Sequence, residues 1–218
     1  FVSKAIGSPL AKIAAQIMSG KTLKALKITK FKKPKFYSVK EAVLPFEKFQ
    51  AVDPILGPEM RSTGEVMGIA PSFVEAFEKA EIAAGVSIPL EGSAFLSIRN
   101  TDKAYLGELA KSLTNSGFKL VATRGTARDL ETMGFKVEII NKVLEGRPHI
   151  VDLMKNKEIS LVVNTTEGRE SITDSASIRR TALDQKICCS TTIEGARAIC
   201  KVIENQVDWR VKKLQDIH

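Results

Sequence analysis

Cysteine and long apolar runs are scarce in this chain of 218 residues. Its 3 cysteines, Cys188, Cys189 and Cys200, are too few for a disulfide framework, and their spacing matches no zinc-binding motif. We expect reduced, buried thiols in a cytoplasmic protein. No apolar run approaches the roughly 20 residues that span a bilayer. Residues 1–4 do not resemble the start of a signal peptide, so we predict no membrane association.

Common arrangements of catalytic residues are also missing. The 2 histidines, His149 and His218, are far apart in the sequence, so we propose no Ser-His-Asp or Cys-His site. No Walker-type glycine loop is present. Glu59, Arg61 and Glu65 have side chains suited to acid or metal chemistry, but their spacing alone does not bring them together. We therefore predict no catalytic residue and no metal site, and place His149 at the surface or at a helix start.

Positive charge predominates, since 33 Lys and Arg outnumber 25 Asp and Glu and give a net charge of +8. This excess favours anionic partners such as nucleotides, nucleic acids or acidic protein surfaces. Basic and aromatic residues alternate over residues 21–37, a pattern found in nucleic-acid-binding proteins. A solvated basic loop has the same pattern, and no second basic element accompanies it. We therefore predict no nucleic-acid partner.

Strand and helix patterns alternate through residues 87–218. Five short apolar segments read as strands and are separated by helices with apolar stripes; the strands are predicted at residues 94–98, 118–122, 136–140, 159–163 and 186–189. This alternation predicts an α/β fold with a Rossmann-like five-stranded parallel sheet and helices on both faces. Residues 1–86 open with a helix expected to start at Ser8 and Pro9. A linker-like stretch over residues 85–92 marks the domain boundary.

The turn around Gly125 joins a predicted strand to a predicted helix. Thr126 is expected to cap this helix, and Gly134 to end it. A helix start of this kind presents free N–H groups and the positive end of the helix dipole, so it suits an anion. Thr123 would add a second hydroxyl group and Arg124 a charge. An ordinary capped turn without a ligand fits the same residues.

Polar residues follow every predicted strand. These strand ends are residues 97–100, 123–126, 141–142, 164–166 and 190–192. Ligands of parallel sheets bind beyond the carboxyl ends of the strands, and converging hydroxyl, amide and lysine donors suit a phosphate or a nucleoside monophosphate. Lys103 could reach the same edge, although a solvated helix lysine explains this residue better when it is taken alone.

Longer motifs resemble the large chain of carbamoyl phosphate synthetases. Residues 54–68 (PILGPEMRSTGEVMG) are similar to the end of its second synthetase half. Residues 1–5 are similar to an earlier stretch of the same half. Residues 141–150 (NKVLEGRPHI) and 164–169 (NTTEGR) resemble its carboxy-terminal regulatory domain. The resemblance implies that residues 1–86 are the tail of an ATP-grasp α+β domain. Residues 87–218 would be a methylglyoxal-synthase-like allosteric domain.

That family forms carbamoyl phosphate from bicarbonate, ATP and glutamine or ammonia, for pyrimidine and arginine biosynthesis. The resemblance implies that the sites for ATP, Mg or Mn, and K lie before Phe1, so this fragment would hold no cofactor and be inactive alone. Its protein partners would be the rest of the large chain and the glutaminase small chain; a homo-oligomer is left open. The aspartate of true methylglyoxal synthases has no counterpart here, so we expect no phosphate elimination from dihydroxyacetone phosphate.

The resemblance also implies two effector sites. The site for UMP or IMP corresponds to the residues of the predicted strand-end edge, namely Ser97, Lys103, Thr123, Thr126, Lys142, Asn164 and Thr166. The ornithine site corresponds to Glu41 and Thr191. Thr191 is independently predicted to cap the last long helix, with Glu194 completing a capping box.

Overall fold

The structure is a computed structural model, and it describes residues 1–28, 34–43, 64–167, 175–206 and 211–217. Glu59 and Arg61, two of the acid or metal candidates, lie outside the described residues, as does His218. None of the described helices is long and apolar enough to cross a membrane. Within the same residues, no cluster of three or more His, Cys, Asp or Glu side chains is placed to hold a metal ion.

The amino-terminal region contains an antiparallel pair of strands covered by a helix. Strand β1 (Tyr37–Val43) pairs with β2 (Gly64–Ala70), and helix α3 (Phe73–Ala83) packs on both strands. Gly68 permits this close packing, because a Cβ atom there would lie 2.7 Å from the backbone nitrogen of Ala80. Ser72 caps α3, because its hydroxyl oxygen accepts a hydrogen bond from the Glu75 backbone nitrogen at 3.2 Å.

Two short helices, α1 (Val2–Ala5) and α2 (Leu10–Met18), precede β1. Helix α2 starts one residue later than predicted, with Pro9 and not Ser8 at the N-cap. None of the residues of α2 is buried. The helix is therefore present as predicted, and its apolar side chains remain at least partly exposed.

The second region is built on a parallel sheet. Its strands are β3 (Ser93–Ser97), β4 (Lys119–Ala122), β5 (Val137–Ile139), β6 (Leu161–Asn164) and β7 (Cys188–Ser190). They lie in the order β5-β4-β3-β6-β7, and every neighbouring pair is parallel. The predicted five-stranded parallel sheet is thus confirmed, and β3, the first of its strands in the sequence, occupies its centre.

Helices cover both faces of this sheet, as predicted. A 3₁₀ helix (Asn100–Tyr105) leads into α4, and the helices are α4 (Leu106–Asn115), α5 (Arg124–Thr132), α6 (Ile150–Lys155), α7 (Ala176–Asp184) and α8 (Ile193–Asn205). Side chains of α4, α5 and α8 join one buried cluster with Leu96, and side chains of α6 and α7 join another with Phe95. These two neighbours on β3 point to opposite faces because side chains alternate along a strand.

The cysteines behave as the sequence predicts. All three are free thiols; Cys188 and Cys200 are buried, and Cys189 is half-buried on the opposite face of the sheet from Cys188. Burial raises the pKa of Cys189 to about 12 and that of Cys200 to about 11. The pKa of Cys188 is raised as well, first by burial and then by the charge of Glu81. All three thiols therefore stay protonated and unreactive at neutral pH.

The segment between α3 and β3 is packed against the sheet domain. Val86 and Ile88, in the stretch predicted as a linker, lie against the core that contains Leu96, and so does Phe77 of α3. Helix α3 also contacts α8. The boundary between residues 86 and 87 remains a prediction, but the two regions share apolar contacts across it.

Candidate functional site

The strand order reverses at β3, the point at which a ligand crevice is expected in a parallel sheet. The chain passes from β3 to β4 and β5 on one side and then crosses to β6 on the other side. In such sheets the loops after the strands diverge at the reversal and leave room for a ligand. Ser97 and Asn164 are register partners at the ends of β3 and β6. The crevice therefore lies where the sequence predicted polar strand ends.

Thr165 ties the two sides of this crevice together. Its backbone nitrogen donates to the Ser97 carbonyl at 3.0 Å, and its hydroxyl oxygen accepts from the Arg99 backbone nitrogen at 3.0 Å. The ends of β3 and β6 are thus joined by hydrogen bonds on the carboxyl side of Asn164.

The Asn164 side chain is the least satisfied polar group at this edge. It is only 1% exposed, and neither its amide nitrogen nor its amide oxygen has a hydrogen-bond partner among the described residues. A buried, unpaired polar group costs about 1–3 kcal/mol, and such groups are rare in folded proteins. A bound molecule with both a donor and an acceptor would satisfy it.

Two threonines at the start of α5 are buried beside the crevice. The helix begins at Arg124, and Thr123, still in an extended conformation (φ −67°, ψ 153°), is its N-cap. Our prediction that Thr126 caps this helix is therefore wrong, because the chain becomes helical before it. The Thr126 hydroxyl, 3% exposed, accepts instead from the Ile98 backbone nitrogen at 3.2 Å. Its own proton stays available to donate.

The loop after β5 is held next to the start of α5. Arg124 donates from Nη2 to the Asn141 side-chain oxygen at 3.3 Å, and the Ile150 backbone nitrogen donates to the Asn141 carbonyl at 3.3 Å. Lys142 follows, exposed, with its backbone nitrogen donating to Glu145 Oε2 at 3.2 Å. Among the described residues the Lys142 ammonium makes no ion pair with an acid. Its charge is thus available to an anion.

Lys103 is at the same edge, but its charge is occupied. Its Nζ lies 2.7 Å from Asp129 Oδ2, and the two side chains are 31% and 33% exposed. Arg99, just before it, donates from Nε to the buried carboxylate of Asp102 at 2.8 Å. Each of these two cations therefore has an acidic partner.

These hydrogen bonds connect the loops that follow β3, β4, β5 and β6. The predicted site residues at this joined edge are Ser97, Thr123, Thr126, Lys142, Asn164 and the half-buried Thr166. Lys103 lies in the 3₁₀ helix that follows β3, but its ammonium group points to Asp129 on α5. The structure thus assembles the predicted positions, and their contacts with a ligand remain predictions.

Much of the sequence that forms this edge is similar to a known protein family. Residues 105–191, which include most of the site, match the MGS-like domain. We refer to this region by that description, as the MGS-like domain. The match and the parallel sheet agree with the predicted fold class.

The whole chain has close relatives among large chains of carbamoyl phosphate synthase. It is 55% identical over 218 residues to that of Pseudomonas aeruginosa and 56% identical to that of Xanthomonas campestris. It is 54% identical over 219 residues to that of Pasteurella multocida. Each match covers all of this chain but 20% of the relative, so the chain spans about one fifth of the length of these proteins.

Outside the MGS-like domain, Glu41 of β1 lies close to a second acid that the sequence analysis missed. Glu41 is half-buried, and burial raises its pKa. Burial likewise raises the pKa of Glu81, on α3, to about 7, and the charge of Glu41 adds to the rise. Glu81 follows Phe77 by four residues and so shares its inward face, a helical spacing that could have revealed it.

Thr191 lies in the turn after β7 and is exposed. It does not cap α8, contrary to our prediction: the backbone stays extended through Thr192 (φ −127°, ψ 152°), whose hydroxyl accepts from the Gly195 nitrogen at 3.1 Å. No hydrogen bond joins Glu41 to Thr191 in the described part of the chain. The two predicted ornithine positions are thus not connected directly.

His149 begins α6, as one of our two expectations for it stated. Its backbone nitrogen donates to Asp152 Oδ2 at 3.0 Å, and its Nδ1 is 3.2 Å from the same oxygen. The side chain is buried, so the alternative of a surface residue is wrong. Within the MGS-like domain His149 therefore anchors the end of the loop that carries Lys142.

Proposed function

We propose that the joined edge of the MGS-like domain binds a nucleoside monophosphate, UMP or IMP, as the effector site of a carbamoyl phosphate synthase large chain. The observation that carries this proposal is the buried Asn164 amide, which lacks partners within the described residues at the crevice where the strand order reverses. The relatives' name supplies the enzyme.

The phosphate would occupy the start of α5. A phosphate monoester carries between −1.5 and −2 charges at about pH 7, so it gains from the helix dipole and free N–H groups there. The hydroxyl groups of Thr123, Thr126 and Thr166 would donate to its oxygens, and the Lys142 ammonium would supply charge. The Asn164 amide would take the polar groups of the nucleoside, since an amide both donates and accepts.

The enzyme as a whole would make carbamoyl phosphate from bicarbonate, ATP and glutamine or ammonia, with Mg or Mn and K as cofactors and with a glutaminase small chain. This chain would contribute regulation and no catalytic group. An effector changes activity elsewhere only if it favours one arrangement of the molecule over another. The packing of α3 against α8 offers one contact through which the MGS-like domain can bias the region before it.

A second effector, ornithine, is proposed for Glu41 and Thr191. The supporting observation is the pair formed by Glu41 and Glu81, which repel each other in a partly buried place. A cationic amino group between them would relieve that repulsion. Glu81 would then be a ligand that the sequence did not suggest.

Calorimetric titration of the 218-residue chain with UMP and IMP tests the nucleotide proposal. Lys142→Ala should weaken binding about tenfold, by about 1.4 kcal/mol, because it removes a charge that faces the phosphate. Lys119→Ala is the matched control: Lys119 is exposed at the start of β4, on the opposite edge of the sheet, and its loss should leave affinity unchanged.

No heat with either nucleotide at millimolar concentration would overturn the proposal. Methylglyoxal release from dihydroxyacetone phosphate would identify an enzyme of a different kind. Salt-dependent binding of single-stranded DNA would favour the nucleic-acid hypothesis for residues 21–37.

A further inference from the structure

The pair between Lys103 and Asp129 bears on how strongly the proposed site holds a phosphate. Lys103 lies in the 3₁₀ helix that follows β3, whereas Asp129 belongs to α5, the helix whose start would bind the phosphate. We infer that Asp129 competes with a bound phosphate for the Lys103 ammonium and so sets the affinity of the site. This inference rests on the nucleotide-binding function proposed above.

The position of Asp129 on α5 supports competition. Asp129 follows Thr126 by three residues, so the two side chains share one side of the helix. With a rise of about 1.5 Å per residue, Asp129 lies roughly 4.5 Å further from the helix start than Thr126. The Lys103 ammonium is therefore drawn along α5 and away from the N–H groups at its first turn.

The contact itself is one that Lys103 can leave. Its two atoms are 2.7 Å apart, but Asp129 Oδ2 makes no contact that meets hydrogen-bond geometry within the described residues. Both side chains are about one-third exposed, although Asp129 Oδ2 itself is buried, and partly exposed ion pairs are typically worth at most about 1 kcal/mol. A lysine side chain has a flexible four-carbon stem, so its ammonium can turn from a carboxylate to a nearby phosphate.

The other cations at this edge indicate what the Lys103 ammonium would add to phosphate binding if it moved from Asp129 to the phosphate. Arg99 is bound to Asp102, and Lys103 to Asp129. Within the described residues, Lys142 and Arg124 are cations of this edge that have no acidic partner, and Arg124 donates to the neutral Asn141 side chain. A phosphate monoester with nearly two negative charges would gain from a further cation, and Lys103 is released only when Asp129 gives it up.

Asp129→Asn tests the inference, because the amide keeps the shape of the carboxylate and removes its charge. We expect UMP to bind the variant of the 218-residue chain about tenfold more tightly than the unmodified chain, by calorimetry at low salt. In a Lys103→Met background the same change should alter affinity less than about twofold, because its effect requires the ammonium.

Asp184→Asn is the matched control. Asp184 pairs with Arg180 at 3.1 Å at the carboxyl end of α7, so it lies at the opposite edge of the sheet. The substitution changes the net charge equally, and affinity should not respond. If Asp184→Asn tightened binding as much, the cause would be overall charge and the inference would be wrong.

The remaining outcomes separate this inference from the function on which it rests. If the unmodified chain binds UMP and Asp129→Asn binds equally or more weakly, Asp129 merely positions Lys103, and only the inference fails. If neither form binds UMP, IMP or inorganic phosphate, the proposed function fails and the inference falls with it.

Discussion

At the scale of the residue, Asn164 has a buried side-chain amide that lacks hydrogen-bond partners within the described part of the chain, and such a group destabilises the folded state. Leucine has nearly the shape of asparagine and needs no hydrogen bond. We expect Asn164→Leu to raise the free energy of unfolding by about 1 kcal/mol, since it removes an unsatisfied polar group. The same variant should bind UMP at least about tenfold more weakly. Urea unfolding and calorimetry measure the two effects.

The neighbouring Thr165 is the control for this prediction. Its hydroxyl is hydrogen-bonded to the Arg99 nitrogen, so Thr165→Val should lower the free energy of unfolding by about 1 kcal/mol. A loss of stability in Asn164→Leu comparable to that in Thr165→Val would mean that Asn164 is a structural residue.

The identity of the polar residues could be predicted from the sequence, whereas their contacts could not. The polar strand ends were predictable, because hydroxyl and amide residues follow apolar runs at Ser97, Thr123 and Asn164. The ion pair of Lys103 was not, because it joins residues 26 positions apart whose proximity depends on how α5 packs beside the loop after β3. The lack of hydrogen-bond partners at Asn164 among the described residues likewise depends on the fold around it, so it could not be predicted from the sequence.

At the scale of the elements, the predicted and observed positions differ most where helices begin. Residues 191 and 192 are both threonines, and either can cap a helix. The choice depends on where the backbone leaves its extended conformation after β7, and the pairing of β7 with β6 sets that point. The same holds for Thr123 and Thr126 at α5. The strands themselves were predictable because their buried apolar runs are short and bounded by polar turns.

The cap of α8 can be tested directly. Thr192→Ala should lower the free energy of unfolding by about 1 kcal/mol, because the Gly195 nitrogen loses its acceptor. Thr191→Ala, a change of the same size at an exposed neighbour, should stay within about 0.5 kcal/mol of the unmodified chain. Equal losses in urea unfolding would contradict the assignment of Thr192 as the cap.

At the scale of the whole molecule, the carboxylates at Glu41 and Glu81 make stability depend on pH. Burial and the charge of Glu41 raise the pKa of Glu81 to about 7 in the folded chain, above the value of 4.5 for a free glutamate. Folding therefore takes up a proton between about pH 4.5 and pH 7, and the free energy of unfolding falls as the pH rises through this range.

Glu81→Gln should remove this dependence. The stability of the unmodified chain should fall by about 1 kcal/mol relative to the variant between pH 5 and pH 8, a figure reduced from the full shift because Glu81 is partly exposed. Urea unfolding of both proteins at the two pH values measures it. Parallel pH profiles would show that Glu81 is not perturbed.

The central place of β3 has a consequence for how the chain emerges during synthesis. β3 is made before the strands that flank it, and β6, which covers its second side, follows more than sixty residues later. Until then one row of backbone amides and carbonyls on β3 is open, and an open strand edge recruits other chains. Ribosomes that stall before Leu161 would therefore release products that are prone to aggregate. The open side of β3 is covered only when β6 pairs with it, and the same pairing completes the carboxyl edge of the sheet.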